Sequence, residues 1–282
     1  MVTWWPVQQC RRQPQNCSSG KAANVDVETT WMVAEWRGNP HLYIFSRYEQ
    51  EVLELKRRHA PESSSRDEAG VSGEGLERKS LIFPTKTSTS YVRLYPQDYP
   101  NLSAFTLCLR AASEASHEYA LFSYATSNHD NELLIWQRSN GGLSLEFGDA
   151  KVEFFLPKMN ALLRHICVTC ESAGGMATFW VNGERSIRKV VKRGGIVHVG
   201  GVIILGQDQD SVGGGFDWSQ SFVGEITDVN MWDHVLTASE IKAVSQGCHC
   251  PGGNIIDWAT IRYTASGKVN IQDNDECATS IS

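Results

Sequence analysis

No stretch of the sequence approaches the roughly 18 consecutive apolar residues that a membrane-spanning helix requires; the longest uncharged apolar pieces are strand-sized, such as Val202-Ile203-Ile204-Leu205. A transmembrane segment is therefore not expected. Positive charge is also short: 26 Lys and Arg stand against 32 Asp and Glu, a formal charge of −6 over 282 residues. That balance argues against nucleic acid as a primary partner and directs attention to cations. Only 21% of residues are charged while 41% are apolar, so the chain can bury a core and is not of the disordered class. The first 30 residues lack a basic stretch followed by a continuous apolar one, and no secretory leader is legible there.

The eight cysteines sort by position. Cys10 and Cys17 lie in a polar N-terminal stretch, and Cys248, Cys250 and Cys277 in the tail. Cys108 (in Phe105-Thr-Leu-Cys-Leu) and Cys167 (in His165-Ile-Cys-Val-Thr) each lie inside an apolar, strand-like run. Either those two staple strands of one core, which requires an oxidising compartment, or they are two buried thiols. The triplets Asn16-Cys17-Ser18 and Asn101-Leu102-Ser103 fit glycosylation and export but arise easily by chance.

Residues 1–80 change character twice: a Trp-containing segment to about Tyr48, a charged helical stretch Glu49 to His59, then a Ser, Gly, Glu and Arg-rich run from Pro61 to Lys79 that reads as a linker. No function attaches to them. From Leu81 onward short β-rich runs alternate with Gly, Pro, Asn and Asp, the punctuation of an antiparallel sandwich. Asn182-Gly183 after Phe179-Trp-Val is the clearest hairpin signal, because a type I′ turn needs positive φ at both central residues. Thr237-Ala-Ser-Glu240 predicts a helix opened by a capping box, with Ile241 and Val244 facing the sheet and Gly247 ending it. The expected fold is all-β: a two-sheet, jelly-roll, lectin-like sandwich with one short surface helix over residues 81–271, and a tail at 272–282.

The chemistry is concentrated in two loops. In Gly206-Gln-Asp208-Gln209-Asp210-Ser-Val-Gly-Gly-Gly-Phe-Asp217-Trp-Ser-Gln220, carboxylates, an amide and main-chain carbonyls offer only oxygen on a glycine-rich loop that wraps closely. Hard Ca²⁺ selects such a set. An EF-hand is excluded, since counting from Asp208 puts Val212 and Ser219 where the fifth and twelfth ligands belong. The other reading of the loop is a solvated acidic turn. A second oxygen cluster, Asn128-His-Asp130-Asn131-Glu132, sits between strand-like runs; convergence on shared ions explains carboxylates in both loops better than two unrelated turns do.

His165-Ile-Cys167-Val-Thr169-Cys170-Glu-Ser172, preceded by Cys108, resembles the pentraxin signature, as do Phe122-Ser-Tyr-Ala-Thr, Phe179-Trp-Val-Asn-Gly, Ile204-Leu-Gly-Gln-Asp-Gln-Asp-Ser and Asn230-Met-Trp-Asp around it. The likeness runs from about Leu81 to Val269. It implies two neighbouring calcium ions held by Asp130, Asn131, Asp208, the Gln209 carbonyl, Asp210, Asp217 and Gln220, all of which keep an oxygen donor. It also implies a Cys108–Cys167 disulfide and a secreted, non-catalytic, calcium-dependent recognition protein assembled as a cyclic homopentamer. Its expected ligands carry phosphate or carboxylate (phosphocholine, phosphoethanolamine, acidic sugars, polysaccharide or membrane headgroups), with complement or receptor proteins as partners. Around the ions the pattern departs from a phosphocholine pocket: Trp136 stands for an apolar aromatic, Glu146 for a small hydroxyl residue and Lys151 for the acid that meets choline. Cys170 replaces the signature tryptophan and leaves room for a void or for a disulfide to Cys248, Cys250 or Cys277. The alternative is an adhesion or matrix module of the same fold; a glycoside hydrolase fits less well, since no separate acid/base carboxylate pair is visible.

Overall fold

The computed structural model describes residues 70–247 and 252–274, together with two short strands, β1 (Trp31–Val33) and β2 (Ile44–Ser46), which pair antiparallel. Two compact units divide the chain, Met1–Arg66 and Asp67–Ser282. The helix expected over Glu49 to His59 and the tail cysteines Cys248, Cys250 and Cys277 lie outside the described residues.

The second unit is a sandwich of two antiparallel sheets. The eight-stranded sheet runs β10 (Ala150–Phe155), β9 (Gly142–Phe147), β8 (Leu133–Gln137), β7 (Tyr119–Ala125), β14 (Val202–Leu205), β5 (Tyr91–Tyr95), β16 (Arg262–Ser266), β3 (Val71–Glu74). The seven-stranded sheet runs β13 (Glu184–Val190), β12 (Met176–Val181), β11 (Arg164–Glu171), β6 (Ala104–Ala112), β15 (Gly224–Trp232), β4 (Lys79–Phe83), β17 (Asn270–Asp273). Alternation along each strand sends one set of side chains between the sheets: Leu133 and Ile135 from β8 and Leu143, Leu145 and Phe147 from β9 share one core with Phe105, Leu107, Ile166, Val168 and Phe179. Edge-to-face ring pairs lock the layers together, Phe105 on Phe147 at 6.3 Å between centroids and Phe154 on Phe179 at 5.0 Å. The predicted jelly-roll class is the observed one. Asn182 and Gly183 turn β12 into β13 with φ of 50° and 81°.

On the outer face of the seven-stranded sheet, Cys108 and Cys167 stand opposite each other in register on β6 and β11 and are bonded, so they are not two free thiols. The disulfide is buried among Trp180, Trp232, Leu236 and Ile241, beneath helix α1 (Ala238–Gln246). Both halves of the capping box are present: Thr237 Oγ1 accepts from the Glu240 amide and Glu240 Oε2 from the Thr237 amide. At the other end Arg110 donates to the Ser245 carbonyl at 3.0 Å and pairs with Asp228 at 2.9 Å, placing a cation where the helix's last carbonyls need donors.

Two expectations are corrected. The Ser/Gly-rich stretch before Lys79 is not all linker, because Val71–Glu74 forms β3 on β16; an exposed edge strand pairs through its backbone and needs no apolar pattern, which is why composition hides it. The sandwich therefore begins ahead of Leu81 and runs past Ile271 to Asp273. Cys170 is not in a disulfide: it is a free thiol in the core, opposite Phe105 and Ala177, and burial followed by the charge of Glu171 pushes it up to about 12.

The Cys108–Cys167 bridge closes a loop with a sequence separation of 59. On the chain-entropy account, converting both cysteines to Ala lowers the unfolding free energy by about 4 kcal/mol, read by urea titration. A loss below about 1 kcal/mol contradicts a role for the bridge in stability.

Candidate functional site

The outer face of the eight-stranded sheet carries the acidic loop that follows β14. Gly206 starts it at φ 89°, and a Cβ there would sit 2.2 Å from the Phe83 ring, so no other residue allows the chain to turn so close to the core. Gln209 fixes the loop's middle. Its buried side chain donates to the Ser123 carbonyl at 3.1 Å and the Val202 carbonyl at 3.0 Å, and accepts from the Gly213 amide at 2.8 Å. With its amide group so engaged, the residue has its main-chain carbonyl left for other use. Gly215, at φ 77°, folds the loop back onto Asp210, where a Cβ would lie 2.8 Å from the Asp210 Cβ. Asp217 then caps the single 3₁₀ turn Trp218–Gln220, accepting from the Ser219 amide and hydroxyl; those bonds hold its exposed carboxyl below the usual range.

The second loop links β7 to β8. Thr126 Oγ1 accepts from the Asn128 and His129 amides, and Asp130 Oδ1 from the Asn131 amide. Buried Glu132 anchors the segment, accepting from Thr126 Oγ1 at 3.2 Å and from the His198 amide at 2.7 Å, with His198 Nδ1 at 2.8 Å. The Asn131 carbonyl accepts from Gly148, which ties this loop to the β9–β10 turn.

The two loops converge. Asp208 is only 7% exposed. Burial first, then the charges of Asp210, Glu146 and Asp130, push its carboxyl up to about 7 against a single backbone hydrogen bond from Gln209. Asp210 and Asp208 come from one loop, Asp130 from the other and Glu146 from β9, so charges from three segments act on Asp208, although no three of these carboxylates lie mutually within 4.8 Å. Among the described residues three buried amide oxygens have no hydrogen-bond donor: Asn131 Oδ1 on one loop, and Gln207 Oε1 and Gln220 Oε1 on the other. Buried acceptors without donors are uncommon in folded proteins, and here they are hard oxygens on the same two loops that carry the carboxylates.

The pocket residues fall nearby but differently from a choline site. Lys151 and Glu146 are cross-strand neighbours on β10 and β9 and form an ion pair, so each largely cancels the other. Trp136 is 6% exposed, packs on Ala120 and Leu134, and donates from Nε1 to Glu118 at 3.0 Å. Glu118 in turn pairs with Arg138 at 3.1 Å. The ring is therefore packed as part of the sheet surface, with little of its face open to a quaternary ammonium. Among the described residues, the only group of three or more His, Cys, Asp or Glu ligand atoms mutually within 4.8 Å is Cys108, His165 and Cys167, whose sulfurs are bonded to each other and hold no metal. Three of the seven predicted donors are amide or main-chain oxygens, which lie outside any such count.

Residues 79–273 match the family model described as the Pentaxin family. The chain belongs to the pentraxins. This pentraxin is 44% identical over 207 residues to C-reactive protein of Danio rerio, covering 72% of this chain and 92% of that one. It is 43% identical over 197 residues to serum amyloid P-component of Sus scrofa, covering 70% and 88%. Among solved structures, a native heptameric SAP-like pentraxin from Limulus polyphemus superposes with a TM-score of 0.65 at 26% identity, over 72% of this chain and 98% of that one.

Sequence reasoning missed Lys86, Glu118 and the part played by Trp218. Trp218 is 59% exposed between Asp217 and Gln220, and the Lys86 ammonium lies 4.7 Å from its ring centroid. A tryptophan inside a polar loop was the signal available; Lys86, on the β4–β5 connection, gave none.

The raised Asp208 carboxyl yields a test in chelator. Its pKa in the fold lies above its unfolded value, so the charge it must carry destabilises the fold. That penalty is absent below about pH 4, grows as pH rises, and is complete above about pH 7. Asp208→Asn is therefore expected to raise stability at pH 8 by on the order of 2 kcal/mol and to leave it unchanged at pH 4, measured by thermal denaturation with EDTA present. Equal stability of the two proteins at pH 8 contradicts the convergence of carboxylates on Asp208.

Proposed function

We propose that this chain is a secreted, non-catalytic recognition protein that binds phosphate- or carboxylate-bearing ligands through two calcium ions. The reading assigns Asp130 and Asn131 from the β7–β8 loop, and Asp208, the Gln209 carbonyl, Asp210, Asp217 and Gln220 from the loop after β14, as the oxygen donors. The observation that carries it is the buried Asp208 carboxyl, on which the charges of Asp210 from its own loop and Asp130 from the other both act, together with donorless buried amide oxygens on each loop, Asn131 Oδ1 on one and Gln207 Oε1 and Gln220 Oε1 on the other. A divalent cation supplies what each of these groups lacks: a partner for the amide oxygens and a counter-charge for the carboxylates. Once bound, calcium would reverse the local field and present positive charge to an anionic guest. The chain's part is to hold the donors in place, through the Gln209 side chain under one loop and the Glu132 carboxylate under the other.

Export fits the buried Cys108–Cys167 bridge, which persists in an oxidising compartment. No described helix is long and apolar enough to cross a membrane. A cyclic homo-oligomer fits the heptameric Limulus relative and would place several sites on one assembly, where multivalency turns weak single contacts into firm capture.

Isothermal titration with calcium is expected to give two sites per chain, and Asn131→Ala or Gln220→Ala to weaken calcium binding by roughly 10-fold or more through the lost ligand. On phosphoethanolamine resin the wild type is retained in calcium and released by EGTA. Retention that ignores EGTA, or calcium titrations identical in wild type and both variants, overturns the assignment.

A further inference from the structure

Trp218 departs from everything around it. Of the described aromatic side chains only Trp218 and Phe155 are strongly exposed, at 59% and 76%, and only Trp218 lies beside the converging loops. Its position is held by its own backbone: the Trp218 carbonyl accepts from Ser221 Oγ at 2.8 Å and the Ser221 amide at 3.3 Å. Phe216, two residues earlier, is already engaged, its ring 4.9 Å from that of Tyr91. Trp218 is left as an exposed indole on an anchored main chain, directly after Asp217 and two residues before Gln220, so a guest held by those donors lies next to the ring along the chain.

Lys86 sets what that guest can be. Its exposed ammonium lies 4.7 Å from the indole centroid, and its charge also acts on the Asp217 carboxylate. A choline or other quaternary ammonium would have to displace a cation that already occupies the ring face. A pyranose needs no cation site: it stacks its apolar C–H face on the part of the 59%-exposed indole that the ammonium leaves open and, if it carries an acidic group, adds an ion pair to that ammonium. The pairing of Glu146 with Lys151 and the burial of Trp136 remove the alternative cation pocket on the same sheet face.

We propose that Trp218 and Lys86 form an accessory subsite that takes a second, acidic sugar ring next to the group bound at the two-loop centre, so that the protein prefers acidic oligosaccharides over isolated zwitterionic headgroups. This rests on the calcium-dependent reading above and extends it from a headgroup to a chain of sugars. The subsite supplies stacking and charge and leaves the cation donors untouched.

The test is isothermal titration, in calcium, of a uronic-acid tetrasaccharide, its monosaccharide and phosphoethanolamine against wild type, W218A, W218F and K86Q. Wild type is expected to bind the tetrasaccharide more tightly than the monosaccharide. W218A is expected to lose roughly 3- to 10-fold on the tetrasaccharide while keeping phosphoethanolamine binding, and W218F to restore most of the loss. K86Q is expected to lose roughly 2- to 5-fold, with a smaller dependence on salt. Calcium titration of each variant checks that the donor loops are intact. Equal tetrasaccharide affinity in wild type and W218A, no gain from monosaccharide to tetrasaccharide, or W218F no better than W218A overturns the subsite and leaves the calcium reading standing. Absence of calcium binding in the wild type overturns the reading beneath it instead.

Discussion

Unbalanced negative charge at Asp208 is the constraint around which the outer face of the eight-stranded sheet is organised. A buried carboxylate with three others acting on it is costly unless something positive joins it, and Lys151, opposite Glu146 on the neighbouring strand, is engaged with that residue. The two loops that create this arrangement are held by bonds that do not involve the carboxylates themselves. Gln209 pins one to β7 and β14, and Glu132 pins the other to the segment around His198. The fold thus keeps like charges together by anchoring their neighbours, a cost that makes sense where binding is the purpose.

The opposite face is organised by a different principle. There the disulfide, Trp180, Trp232 and helix α1 build a small second core outside the sandwich, and Arg110 ties the helix's last turn to β6. His165 sits in this layer, where burial, and then Arg110, push it down to about 3 and keep it neutral. One face is dry and cross-linked, the other polar and charged. This division lets the recognition loops carry electrostatic strain while the layer beneath them stays rigid.

Much of this was legible in the sequence, for physical reasons that differ by element. Asn182-Gly183 and Thr237-x-x-Glu240 declare themselves because a type I′ turn and a capping box each need particular residues at fixed spacing. The oxygen-only loop was legible because hard cations restrict donor chemistry; that the Asp130 loop shares its charge with Asp208 was suggested by carboxylates in both loops and made residue-specific only by the family resemblance, since no spacing rule joins positions so far apart in the chain. β3 was hidden because an edge strand needs no apolar side chains. Trp136 was ambiguous because an indole serves equally as a packed surface group and as a platform; its bond to Glu118 decides the matter only in three dimensions. Lys86 meets Trp218 across the fold, a contact that composition cannot encode.

The most direct measurement is anomalous diffraction from crystals grown in calcium, or in a lanthanide that replaces it. The account predicts metal peaks in contact with side-chain oxygens of both loops, Asn131 Oδ1 and Gln220 Oε1 among them. Peaks confined to one loop, or none at all while both loops keep their present conformation, would contradict it.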